Sequence, residues 1–117
     1  MLEISQTFGF DAAHHLNAGA PENRRIHGHS FQAEVTLRGE AGVDGFLRDF
    51  GEVDAVLKAI RENLDHHLLN EVEGLGTPTL ENIARYIHDH AKAKLPEVAR
   101  VTVRRPSYGQ TCTYGSE

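Results

Sequence analysis

The sequence predicts an α+β fold in the order ββααββ, an antiparallel four-stranded sheet with two helices on one face. Three observations lead there. Segments near both ends alternate apolar and polar residues with the period of half-buried strands. The middle carries two apolar stripes of helical period. No linker, repeat or low-complexity stretch divides the 117 residues, so 1–117 reads as a single domain. Strands segregated from helices make a layered α+β sheet, not a run of βαβ units.

The first strand is expected over Ile4–His14, where Phe8, Phe10 and Ala12 share one side and His14 continues it. Asn17–Arg25 reads as a loop, punctuated by Gly19, Pro21 and Asn23. A second strand is expected over Ile26–Leu37, with Phe31, Ala33, Val35 and Leu37 on one parity, followed by a glycine-rich turn from Gly39 to Gly45.

The first helix is expected over Phe50–Leu64, capped by Asp49 with Glu52 completing a variant capping box. Val53, Val56, Leu57, Ile60 and Leu64 form its stripe. Thr79 caps a second helix whose inward residues include Leu80, Ile83, Ala84, Ile87 and Ala91, and Pro96 ends it. Val98–Arg105 and Gln110–Tyr114 are the third and fourth strands, joined by a turn over Pro106–Gly109. With helices on one face only, the other face of the sheet lies bare or meets further copies, so oligomerisation is expected.

A net charge of −5 argues against a general nucleic-acid binder. No window is apolar for the roughly 18 residues a membrane span needs. Met1–Ser5 has no signal-peptide character, and the lone Cys112 cannot form an internal disulfide. A cytoplasmic, reducing location is expected.

The informative excess is histidine, eight in all. In His27-Gly28-His29 the two imidazoles point to one face of a strand, where they can converge on an ion. An antiparallel hairpin would bring His14 beside them. Three imidazoles with a fourth position open is the layout of a catalytic zinc site. His15 points to the other face. Asp65-His66-His67 closes the first helix, where a histidine gains from the helix dipole or serves as an acid/base tuned by a carboxylate. His88 and His90 cannot share a helix face and read as solvated. Arg24 and Arg25 precede the histidine pair and suit phosphate oxygens. Arg104 and Arg105 alternate on a strand, so only one faces the site.

Four blocks, Phe10-Asp11-Ala12-Ala13-His14, His27-Gly28-His29-Ser30-Phe31, Leu64-Asp65-His66-His67-Leu68-Leu69-Asn70 and Pro78-Thr79-Leu80-Glu81-Asn82, resemble the 6-pyruvoyltetrahydropterin synthase family. The likeness is nearest to its bacterial branch, 6-carboxytetrahydropterin synthase, of queuosine biosynthesis. It implies a tunnelling fold whose sheets close into barrels by oligomerisation, commonly a hexamer. It implies zinc on His14, His27 and His29. It implies a proton relay through Asp65 and His66, often reaching the metal from a neighbouring subunit, and a pterin ring held in part by Thr79. Arg25 matches an arginine of bacterial relatives. The implied substrate is 7,8-dihydroneopterin triphosphate, cleaved with release of acetaldehyde and triphosphate.

Two positions depart from the family pattern. The family's catalytic cysteine, four residues before the His-Gly-His motif, is Asn23 here, and an amide is no general base. Glu22 or Cys112 is then a candidate replacement, and some branches of the family use a glutamate near this position. The glutamate that anchors the pterin's amino and ring N–H groups is Arg105 by one alignment and Gln110 by another. The expected activity is a zinc-dependent lyase on this or a related pterin. The alternative is a pterin-binding homologue without turnover.

Overall fold

The computed structural model describes residues 1–116. Its elements are β1 (Leu2–His14), β2 (His27–Gly39), α1 (Phe50–Leu64), α2 (Leu80–Lys94), β3 (Val98–Arg105) and β4 (Gln110–Gly115). The four strands form one antiparallel sheet in the order β1-β2-β3-β4. Each hairpin partner is thus the chain neighbour, except that the two helices intervene between β2 and β3. No helix among the described residues is long and apolar enough to cross a membrane.

Alternation decides which way the sheet faces. Phe10, Ala12 and His14 of β1 are buried, as are His29, Phe31, Ala33, Val35 and Leu37 of β2. α1 packs over β1 and α2 over β3 and β4 on that same side. The stripes Val53, Leu57, Ile60, Leu64 and Ile83, Ala84, Ile87, Ala91 are all buried between helices and sheet. Phe10 and Phe31, cross-strand partners, stack with ring centroids 5.0 Å apart. They form the floor beneath the histidines one turn of the pleat further on.

The opposite face is polar and bonds to itself. Ser5 and Thr36 hydroxyls lie 2.9 Å apart, as do those of Thr102 and Thr113. Arg104 donates to Glu34 at 2.9 Å, and Arg100 chelates Glu3 at 2.7 and 3.0 Å. The bare face of the sheet is therefore a solvated lattice of pairs rather than an apolar surface seeking cover.

Three sequence expectations are corrected. Asp49 precedes α1 without a side-chain cap. Glu52 is instead held by Arg48, which also grips Glu97 at 2.7 and 2.8 Å, so the capping box gives way to a stronger ion-pair bridge. The loop after β1 contains a 3-10 turn over Pro21–Arg24, begun by proline at its first position. A second such turn, Leu69–Glu71, follows α1. His88 is not solvated: its side chain is 12% exposed and its ring meets Tyr114 edge-on.

Candidate metal centre

The histidine site follows from β1–β2 register. His14 pairs directly with His27, and Ala12 with His29, so all three imidazoles project from neighbouring positions on the helix side of the sheet. Gly28, between the two β2 histidines, has its Cα opposite Ala13, and a Cβ there would reach the Ala12 carbonyl at 3.4 Å, about van der Waals contact.

The three rings meet edge to face, with centroids 4.6, 5.0 and 4.9 Å apart. Nδ1–H of His14 donates to the Pro78 carbonyl at 2.8 Å, and Nδ1–H of His27 donates to the Arg25 carbonyl at 2.8 Å. A carbonyl only accepts, so both rings carry their proton on Nδ1 and present a bare Nε2. Those two Nε2 atoms lie 3.0 Å apart. His29 Nε2 is buried and has no hydrogen-bond partner. One ligand nitrogen from each ring falls within 4.8 Å of the others.

Electrostatics favour the neutral, ligating form. Burial pushes the His29 imidazole down to about 4, with the neighbouring His14 and Arg105 charges adding to the effect. Burial also lowers His14, partly offset by its bond to Pro78. Two bare nitrogens in contact and a third orphaned in the interior are costly in isolation. A cation held between them would satisfy all three, so the residues fit a metal with three protein ligands and room for an exogenous one.

A groove of about 590 Å³ opens on His27 and His29 and is bordered by Glu22, Asn23, Arg25, Arg105 and Gln110. The Pro21–Arg24 turn puts Glu22 and Arg25 there. Asn23 is occupied in the loop itself: its amide donates to the Ala18 carbonyl and its own carbonyl accepts from Leu16 N–H at 2.7 Å. Arg105 and Gln110 are register partners across the β3–β4 hairpin. The two alternative anchor positions of the alignment thus sit side by side. Tyr108, which sequence reasoning passed over, meets the His29 ring edge-on at 5.2 Å. No periodicity signals a residue in so tight a turn.

Other candidates lie elsewhere in the chain. Cys112 is half-buried and does not border the groove, and burial pushes its thiol up, so it supplies no base there. Thr79 spends one lone pair capping α2, accepting from Asn82 N–H at 3.2 Å, beside the Pro78 carbonyl that holds His14. Asp65 and His66 run along the free edge of β1. The Asp65 carboxylate accepts from Asp11 N–H at 2.9 Å and from His66 Nδ1–H at 2.9 Å, and His66 N–H donates to the Asp11 carbonyl at 2.7 Å. The Asp11 amide, then His66 and Arg61, hold the Asp65 carboxyl below its ordinary range. His66 adopts a left-handed backbone with φ of 60°, uncommon for a residue with a side chain, and its side chain is 79% exposed. It borders a cavity with Asp11, Gly28, Ser30 and His29, and is not among the residues of the groove that Glu22, Arg25 and Gln110 border.

Comparison with known proteins agrees with this geometry. The family model described as 6-pyruvoyl tetrahydropterin synthase matches residues 3–117. A 6-carboxy-5,6,7,8-tetrahydropterin synthase from Synechocystis is 36% identical over 119 residues, covering 97% of this chain and 89% of its own. A dihydroneopterin monophosphate aldolase from Pyrococcus furiosus is 34% identical over 108 residues, covering 92% and 89%. The structure of Caenorhabditis elegans 6-pyruvoyl tetrahydropterin synthase superposes with a TM-score of 0.85 at 24% identity, over 99% of this chain and 96% of that one. From the His-Gly-His register to the ββααββ sheet, the chain belongs to the 6-pyruvoyl tetrahydropterin synthase family.

Proposed function

We propose that this chain is a zinc-dependent lyase acting on 7,8-dihydroneopterin triphosphate or a related pterin, in the manner of 6-carboxytetrahydropterin synthase. The observation that carries the reading is the convergence of three imidazole nitrogens within 4.8 Å of one another, two of their rings bordering an open groove. The relatives named for the synthase and for a dihydroneopterin monophosphate aldolase support a pterin with a phosphorylated side chain as the substrate class.

Zinc, when bound by His14, His27 and His29, supplies a Lewis acid for the substrate's side-chain oxygens. Glu22, at the rim of the same groove, takes the proton that the family's cysteine takes elsewhere. Arg25 meets phosphate oxygens. Gln110 and the free O–H of Thr79 hold the edge of the ring. Asp65 orients the His66 imidazole by its 2.9 Å bond, and His66 delivers or removes the second proton.

Within one chain His66 shares a cavity with His29 but does not border the groove of Glu22, Arg25 and Gln110. That separation supports a site completed by a second copy, in a homo-hexamer whose free β1 and β4 edges join neighbouring sheets into barrels. A cytoplasmic place in queuosine biosynthesis is part of the same reading. The alternative of a pterin binder without turnover is disfavoured by a carboxylate at the groove rim where a base is needed.

The experiment is a product analysis of zinc-loaded protein with the dihydroneopterin triphosphate, its monophosphate and dihydroneopterin. Acetaldehyde and triphosphate with a carboxylated pterin, or a hydroxymethyl pterin with glycolaldehyde (bearing the phosphate where the substrate carried one), is expected, and Glu22→Gln lowers the rate about 100-fold or more at unchanged zinc content. Stoichiometric zinc with no product from any of the three overturns the reading.

A further inference from the structure

Most arginines of the sheet and its flanks are spoken for. Arg100 chelates Glu3, Arg104 holds Glu34, and Arg48 grips Glu52 and Glu97. Arg105 is different. Among the described residues no carboxylate comes within ion-pair distance of it, and its Nε is buried without a hydrogen-bond partner. It lies one step past the last paired residues of β2 and β3, Gln32 and Arg104, which places it on the helix side of the sheet across from Phe31 and diagonal to His29. It borders the groove of the metal centre, as Arg25 does, beside its register partner Gln110.

A half-buried guanidinium without an anion is a costly arrangement unless something else completes it. The interior offers no oxygen to Arg105, and the surrounding rings are neutral. A metal on those rings adds positive charge, so the locus is cationic within a chain of net charge −5. Glu22 on the rim is the one carboxylate bordering the groove and forms no ion pair with Arg105, so an anionic ligand is what completes the guanidinium. The planar fork of a guanidinium matches the two oxygens of a carboxylate or of a phosphate.

We propose that Arg105 is a specificity-determining residue that receives an oxyanion of the small molecule bound at the three-histidine centre. The ligand then carries a carboxylate or phosphate close to the metal position, in addition to any phosphate met by Arg25. This rests on the reading of the site as a pterin lyase for the identity of the ring, but not for the anion. The residue also explains why the groove lacks an anchoring glutamate. A carboxylate there selects ring N–H donors, whereas Arg105 selects negative oxygen.

The test is equilibrium binding to zinc-loaded protein, wild type against Arg105→Gln and Arg25→Gln. Pterin-6-carboxylate and the uncharged neopterin are followed by their own fluorescence, and pyruvate and inorganic phosphate by calorimetry. Arg105→Gln is expected to weaken pterin-6-carboxylate about tenfold or more while leaving neopterin within about twofold. Pyruvate lost and phosphate retained assigns the anion as a carboxylate, and the reverse assigns a phosphate. Equal weakening of both pterins, no weakening of any probe, loss confined to Arg25→Gln, or wild-type protein that binds none of the four overturns the inference. Failure of both pterins with Arg105-dependent binding of pyruvate or phosphate overturns the pterin reading and leaves the inference standing. Zinc content and melting temperature are measured on each variant. Should Arg105→Gln not fold, Arg105→Lys takes its place, with a several-fold loss for the carboxylates expected from the missing fork and no loss overturning the proposal.

Discussion

His14 of β1 and Pro78, the residue before the cap of α2, are joined by a 2.8 Å hydrogen bond across 64 positions of sequence. One contact thereby ties the sheet to the helix layer and fixes which nitrogen of His14 faces the other two rings. A metal held by this ring would couple binding to folding, because the same ring is a fastening of the core.

That coupling makes metal content a stability variable. Zinc at about 100 times its dissociation constant should add about 2.7 kcal/mol and raise Tm by on the order of 10 °C, with chelator reversing the shift. His27→Ala and His29→Ala should each abolish the shift. Scanning calorimetry beside elemental analysis reads both, and an equal Tm with and without zinc contradicts the centre.

The metal-free protein should be acid-sensitive in a defined window. His29 is pushed down to about 4 by burial, and His14 is lowered as well, while the unfolded chain takes protons near the ordinary histidine value of about 6.5. Stability is therefore full above pH 6.5 or so and falls as pH drops toward 4, by about 3 kcal/mol from His29 alone. Urea titrations between these limits test the slope. Zinc should displace the fall to lower pH, since protons and metal compete for the same nitrogens.

Asn70 is a structural clamp that the sequence does not advertise. Its amide accepts from His15 N–H at 3.0 Å and donates to the His15 carbonyl at 2.9 Å, closing the end of β1 against the turn after α1. Asn70→Ala leaves two backbone groups unpaired and should cost about 1–3 kcal/mol in denaturant unfolding. A loss within error of zero removes the clamp from the account.

Subunit mixing tests the shared site. Glu22→Gln and His66→Ala should each be inactive as pure oligomers. If the two residues serve one centre from different copies, an equal mixture unfolded and reassembled together should regain about one quarter of wild-type activity by random assortment. A mixture as inactive as its parents places both residues in one chain's centre or outside the chemistry.

Much of this was legible before the fold was known, because strand parity is a local rule. His14 follows Phe10 and Ala12 on one side of β1, and His27 and His29 share a side of β2, so a hairpin was enough to bring them together. The helix stripes were equally local. The cap of α1 was not, since Arg48 draws Glu52 away toward Glu97, a residue 45 positions further along the chain. His88 was misjudged for the same reason: its cover, Tyr114, arrives from the last strand.

The sequence by itself determined the order of elements, the burial of their faces and which three histidines meet, all consequences of periods two and 3.6 acting on neighbouring residues. Tertiary structure alone decided the tautomers of His14 and His27, the isolation of Arg105, and the placing of His66 in a cavity that reaches His29 but not Glu22 or Arg25. Each depends on which carbonyl, carboxylate or strand edge comes within about 3 Å of a side chain. Distant parts of the chain supply those partners, and only folding brings them into reach.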